Sequence, residues 1–243
     1  MIINTSGLVV REQKVNDSDC VITVMTDKLG VIRVWANGIY SPKSKNRAAR
    51  LFCYSDFTLF KNKEKYTLNN ADGRELFFNL RKDIADISLC SYFAQLAATM
   101  LDEGDDASQV LPLTLNSFFL ISEGKTERRM IKACYELRFA SLIGYAPTVG
   151  ACSLCGGAGE FFDVRSGHTI CFLCKNKRTG QLSLAVGGAV VKAVEHIVNT
   201  IPDRIFSFKI SDENIAVLAE VAERFLLEQC GRGFPALDFY KGL

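Results

Sequence analysis

The sequence predicts an α+β multidomain chain: a β-rich domain over residues 1–80, then a helical domain over residues 81–243 with a four-cysteine insertion at about 150–180. Three observations predict it. Five short β-rich runs precede residue 80, the hydrophobic period changes near Arg74, and two Cys-x-x-Cys pairs fall within residues 152–174. With 243 residues and 48% hydrophobic content, the chain is long enough to bury a sizeable core.

The runs GLVVRE, CVITVMT, VIRVWA, DFTLF and KYTLNN are separated by turn-like NDSD, DKLG, NGIYSPKSKN and KNKE. Five strands at this spacing fit a small barrel or sandwich. In VIRVWA, alternation puts Ile32, Val34 and Ala36 on one face and Val31, Arg33 and Trp35 on the other. With the first face in the core, Arg33 and Trp35 look outward together.

From Arg74 onward, ELFFNLRKDIADISLCSYFAQLAATML lacks Gly and Pro and reads as helix, ended by the acidic DEGDDAS. LPLTLNSFFLIS and TERRMIKACYELRFASLIG read as two more helices. The second opens at Thr126 as N-cap and ends at Gly144, with Pro147 just beyond. LAVGGAVVKAVEHIVNT and DENIAVLAEVAERFLLEQCG complete the helical set. In the last, Ile215, Leu218, Ala219, Ala222, Phe225 and Leu226 share one face.

The segment CSLCGGAGEFFDVRSGHTICFLC has the spacing Cys-x2-Cys-x15-Cys-x2-Cys, which suits a tetrahedral Zn²⁺ held by Cys152, Cys155, Cys171 and Cys174. FFDV and HTIC can pair as a hairpin across Arg165-Ser166-Gly167, and Gly156-Gly157 lets the first knuckle fold back. Four Cys ligands close the coordination sphere to water, which argues for a structural ion, one per chain. Lys175, Lys177 and Arg178 follow and offset the negative charge of four thiolates on one Zn²⁺. Free or redox-active thiols are the alternative, His168 is a hairpin residue before it is a ligand, and spacing does not distinguish Zn²⁺ from an iron–sulfur cluster.

His196 lies in a helical pattern without a companion motif. The sequence has no phosphate-binding Gly-x-x-x-x-Gly-Lys-Ser/Thr loop, nucleophile elbow or Rossmann fingerprint, so no enzymatic activity is expected. No run approaches the ~18 apolar residues of a membrane span, and the first residues do not read as a secretory signal. The nine cysteines, five of them scattered singly, do not form a secreted disulfide framework, so a cytoplasmic location is expected.

Net charge is only +2, but it is unevenly spread: residues 1–80 hold 12 Lys+Arg against 8 Asp+Glu, and residues 81–243 hold 17 against 19. Within residues 33–65, Arg33, Lys43, Lys45, Arg47, Arg50, Lys61, Lys63 and Lys65 face only Asp56 and Glu64. Trp35 and Tyr40 stand among these cations. A single-strand binder needs this combination, cations along the phosphates and aromatic faces for unstacked bases. The competing reading is a solvated loop over core aromatics.

Three stretches in order resemble the RecO recombination mediators of bacterial DNA repair. NGIYSPKSK is similar to the family's Gly-x-x-x-Pro-Lys-Ser loop, YELRFASLIGYAPTVGACSLCGG to its helix, Gly-Tyr-x-Pro turn and first knuckle, and ICFLC to the second knuckle. The resemblance implies an N-terminal OB-fold β-barrel of about 80 residues and an all-α domain with a zinc-binding insertion. It also implies binding of single- and double-stranded DNA, strand annealing, contact with the tail of single-stranded-DNA-binding protein, and action with RecR in loading RecA. It implies a cytoplasmic, nucleoid-associated location. Cys152, Cys155, Cys171 and Cys174 match the metal ligands and Lys43 the loop lysine; the other cations join on charge alone. Asn37, Ile39 and Tyr40 depart from the more basic family loop, which predicts weaker DNA affinity through it. Two rival readings are a protein-interaction adaptor that does not bind DNA and a zinc or thiol enzyme.

Overall fold

The computed structural model describes residues 1–41, 44–177, 182–201 and 204–243. Strands β1 (Ile2–Lys14), β2 (Cys20–Thr26), β3 (Val31–Ala36), β4 (Tyr54–Asn62) and β5 (Lys65–Glu75) close into a barrel in the order β1-β2-β3-β5-β4, with β4 returning to β1. The pairings are antiparallel except for β3 and β5, which run parallel. This is the five-stranded barrel of an OB-fold. Inward residues of every strand, among them Val9, Ile22, Val34, Phe57 and Leu68, fill it with apolar side chains.

β1 closes the barrel by serving two neighbours. Ile2–Leu8 pair with β4 and Gly7–Lys14 with β2. The two pairings overlap at Gly7 and Leu8, and at Gly7 a Cβ would stand 2.5 Å from Val24 Cγ1 and 2.8 Å from the Met25 carbonyl oxygen. A register shift between Val9 and Arg11 adds the local twist that closure requires.

The helix expected from Arg74 starts later. β5 runs to Glu75, Phe77 takes a left-handed φ of 44°, and a 3-10 turn spans Phe78–Lys82 before α1 (Ile84–Met100). Asp83 sets that start, since its carboxylate accepts a hydrogen bond from the Ala85 N–H at 2.8 Å. α2 spans Val110–Glu123.

The remaining elements are α3 (Arg128–Leu142), β6 (Phe161–Asp163), β7 (His168–Ile170), α4 (Phe172–Asn176), β8 (Ser183–Ala185), α5 (Gly188–Asn199), α6 (Asp212–Cys230) and α7 (Pro235–Lys241). The N-cap of α3 is Glu127 and not Thr126: the extended backbone lies one residue later, and no side chain caps the turn. Leu184 and Ala185, expected in a helix, pair as β8 with Phe161 and Phe162. On α6, Ile215, Leu218, Val221, Ala222, Phe225 and Leu226 are buried, and Ala219 sits at the edge of that face.

The chain forms two compact units, Met1–Glu123 with Phe234–Leu243, and Gly124–Gly233. This differs from the sequence division near residue 80, because α1 and α2 pack on the barrel. Backbone hydrogen bonds also join the segment after α1 to the β2–β3 turn, from Val31 to Asp102 at 3.1 Å and from Gly104 to Leu29 at 3.0 Å. α7 returns to this first unit. The Phe234 ring meets Tyr92 of α1 edge-on at 6.0 Å, and the Ala236 N–H donates to Gln95 Oε1 at 3.0 Å.

In the second unit α3 packs against α6. Between them lies an ionic cluster that carboxylate spacing in the sequence does not reveal: the Lys132 ammonium meets Glu136 and Glu223, each at 2.8 Å. Lys132 and Glu136 are buried. Burial alone would push the Lys132 ammonium down, but the two carboxylates overcome it and hold its pKa above the ordinary value. Among the described residues, no helix is long and apolar enough to cross a membrane.

Candidate metal centre and nucleic-acid interface

The cysteine segment folds as its spacing predicts. Phe161, Phe162 and Asp163 pair with Ile170, Thr169 and His168 across the turn, and Phe162 anchors the hairpin edge-on against Phe225 of α6 at 5.6 Å. Gly156 takes φ of 77° and its N–H donates to the Cys152 carbonyl at 2.9 Å, which folds the first knuckle back on itself. Cys171 caps α4 and Cys174 lies in that helix, so one turn supplies the second pair.

The four sulfurs of Cys152, Cys155, Cys171 and Cys174 all lie within 4.8 Å of one another, and Cys155 and Cys171 are 3.7 Å apart. A tetrahedral ion with bonds of about 2.3 Å to sulfur sets its ligands about 3.8 Å apart, so the cluster fits one such ion. A disulfide needs about 2.05 Å, and a multi-iron cluster spreads its thiolates over separate irons. N–H groups of Cys171, Leu154 and Cys155 aim at the Cys152 sulfur and bring its thiol down to about 6, while contact with the Cys171 thiol and burial push Cys174 up to about 12. His168 sits in β7 as a hairpin residue, outside the sulfur set. His196 is an ordinary helix residue, with Nε2 at 3.0 Å from the Arg204 carbonyl oxygen and its ring edge-on to Phe208. Lys175 places its ammonium 4.0 Å above the Phe161 ring; Arg178 lies outside the described residues.

The cationic residues of the first unit divide into two groups. On the outer face of the barrel, Arg33 and Trp35 point away from the core as alternation predicts, and Trp35 is 42% exposed. Trp35 stands opposite Thr67 of β5, so Lys65, two residues earlier on that strand, shares the outward face. Lys63 is exposed in the β4–β5 turn. Lys61 is less available: its ammonium contacts the Tyr66 hydroxyl at 2.7 Å and Glu103 at 3.3 Å.

The second group lies at the far end of β5, about 20 Å along the strand from Lys65. Here the β3–β4 loop borders a cleft of about 1100 Å³, with the exposed Lys45 and Arg47 on its wall. Glu12 organises this loop. Its carboxylate accepts from the Tyr40 hydroxyl at 2.6 Å, Arg50 Nε at 2.8 Å and the Leu51 N–H at 2.9 Å. Burial and the Glu12 carboxylate push the Tyr40 phenol up to about 12. The Arg50 guanidinium lies 4.6 Å from the Tyr40 ring centroid, and that ring packs against the barrel core. Tyr40 and Arg50 therefore shape the wall, whereas Trp35 presents an open aromatic face. Lys43 lies outside the described residues.

Lys14, Phe78 and Arg81 are among the cleft residues that the sequence did not single out. The signal was present in the Phe-Phe-Asn-Leu-Arg-Lys run, but its assignment to a continuous helix hid the turn that brings Phe78 and Arg81 to the loop.

Comparison with known proteins agrees with both halves of this description. Residues 1–77 match the model of the recombination protein O N-terminal domain, and residues 81–238 that of its C-terminal domain. The chain is 32% identical over 245 residues to the DNA repair protein RecO of Acetivibrio thermocellus, covering 99% of this chain and 97% of that one. It is 27% identical to the protein of the same name from Alkaliphilus metalliredigens, covering 99% of each. With an OB-fold barrel, a four-cysteine ribbon and end-to-end likeness to these relatives, the chain belongs to the RecO family of DNA repair proteins.

Proposed function

We propose that this protein is a non-enzymatic mediator of DNA repair and homologous recombination. It binds single- and double-stranded DNA, anneals complementary strands and, with RecR, helps to load RecA onto DNA coated by single-stranded-DNA-binding protein, whose C-terminal tail it contacts. It acts in the cytoplasm, on the nucleoid. The observation that carries this reading is the outward presentation of Trp35 beside Arg33 and Lys65 on the barrel face. Lys63, Lys45 and Arg47 extend the cationic surface, with Arg50, Lys61 and Tyr40 as supporting residues and Lys43, the loop lysine, as a further proposed DNA contact. Neutralising phosphates on two strands lowers their mutual repulsion and lets them pair, a mechanism that weakens steeply with salt. The four cysteines hold Zn²⁺, which closes the ribbon and contributes folding free energy to its unit.

The test is annealing of complementary oligonucleotides coated with their single-strand-binding protein. Acceleration by the wild type that is lost in a folded Arg33→Glu/Lys45→Glu/Arg47→Glu variant supports the mediator. No acceleration even at low salt favours a second reading, a protein-interaction adaptor. That reading draws on Leu154, Phe172 and Leu173, which stand exposed on the cysteine knuckles as a docking surface would.

A further inference from the structure

The cleft at the end of the barrel has a construction that a solvated loop does not need. Its two walls are the segment through Arg50–Cys53 and the turn through Leu76–Arg81. Each wall contains a bulky residue in the left-handed region, Phe52 at φ 67° and Phe77 at φ 44°, where side chains other than glycine are strained. Both rings are buried and both meet one residue, Phe118 of α2, edge-on at 5.3 and 5.6 Å. One buried aromatic thus pins both strained walls. Arg81 joins them from outside, donating to the Leu51 carbonyl at 2.9 Å and to the Leu76 carbonyl at 3.3 Å.

The strained Phe77 turns the next residue out of the core. Phe78 borders the cleft at 68% exposure, with the Arg81 guanidinium 6.0 Å from its ring centroid. Lys14, Lys45 and Arg47 border the same space with Arg50 and Arg81, against the carboxylates Glu12 and Asp72. The Glu12 charge is met by three donors within the wall, and Asp72 accepts from Asn70 at 2.7 Å. The cleft therefore joins a cationic rim to an open aromatic face, in a volume of about 1100 Å³ that admits one nucleotide with room to spare.

We infer that this cleft takes a single unpaired nucleotide of a DNA strand, its base stacked on Phe78 and its flanking phosphates held by Lys45, Arg47 and Arg81. The inference rests on the DNA-binding reading and sharpens it. A base inside a duplex is stacked and paired, so Phe78 discriminates in favour of single strands, whereas the cations serve both forms.

The experiment measures affinity for a single-stranded oligonucleotide and for a duplex of the same length, at low salt, for the wild type, Phe78→Ala, Phe78→Trp and Lys45→Glu/Arg47→Glu. Phe78→Ala is expected to weaken single-strand binding by about 5- to 150-fold, leave duplex binding within about twofold, and keep the wild-type melting temperature; Phe78→Trp is expected to retain single-strand binding. Equal losses on both forms, or no loss on either while the charge-reversal variant still binds more weakly, overturn the nucleotide site and leave the DNA reading standing. A wild type that binds neither form overturns both.

Discussion

The barrel and the cysteine ribbon carry their chemistry in opposite ways. The ribbon gathers four sulfurs within 4.8 Å, an arrangement in which the proposed ion would need every one of them. The barrel spreads its cations along β3, the β4–β5 turn and the cleft, with Lys65 and the cleft end of β5 about 20 Å apart. Coordination demands a fixed geometry, and phosphate attraction tolerates many. Loss of one group should therefore be close to all-or-none in the ribbon and graded on the barrel.

Cys171→Ser is the harshest test of that contrast. Metal content by elemental analysis should fall to near zero, and the variant should lose at least about 5 kcal/mol of stability, given the ~10–16 kcal/mol with which structural zinc binds small peptides. Full metal content with unchanged melting would break the comparison at its stronger end.

Lys132→Met should cost about 3–5 kcal/mol, seen as a melting temperature lower by on the order of 10 °C, because it leaves Glu136 buried without its ammonium. The pH dependence has a definite sign. Lys132 has a folded pKa raised above 10.5, so its contribution is complete below that value and is lost as pH rises through the folded one. The melting gap between wild type and Lys132→Met should thus be wide at neutral pH and narrow only as pH rises through the raised folded pKa.

Lys45→Glu/Arg47→Glu should weaken binding to all DNA sequences alike and flatten the plot of log affinity against log salt by about 0.7–0.9 per phosphate contact removed. An unchanged slope would take these two residues out of the interface. The smallest effect on the fold is expected for Trp35→Ala, within about 0.5 kcal/mol in a melting experiment because the ring is half exposed. The same change should cost ~1–3 kcal/mol per stacked base in single-strand affinity. A large loss of stability would show instead that Trp35 supports the barrel wall.

What could be read in advance follows the same contrast. Ligand spacing survives in one dimension, and so Cys152 through Cys174 and the Phe161–Ile170 hairpin were legible, as was the outward side of β3. The cleft was not, because Lys14, Lys45 and Arg81 meet only once β1, the loop and the 3-10 turn are folded. Phe77 also misled, since its local composition is helical while its backbone is left-handed and its ring meets the distant Phe118. The ionic cluster of Lys132 with Glu223 joins residues on α3 and α6. Glu136 stands four residues after Lys132, but nothing local marks that pair as buried. α7 went unread because seven residues carry too little period to declare a helix.

The return of α7 to α1 gives translation a particular order of events. Residues 124–233 emerge from the ribosome between the two segments that build the first unit, and that intervening unit can reach its own fold before the first is finished. A nascent chain halted before Phe234 exposes the side of Tyr92 that Phe234 covers in the folded molecule. Until residues 234–243 arrive, the barrel's helical support is an unfinished surface for chaperones to recognise and proteases to enter.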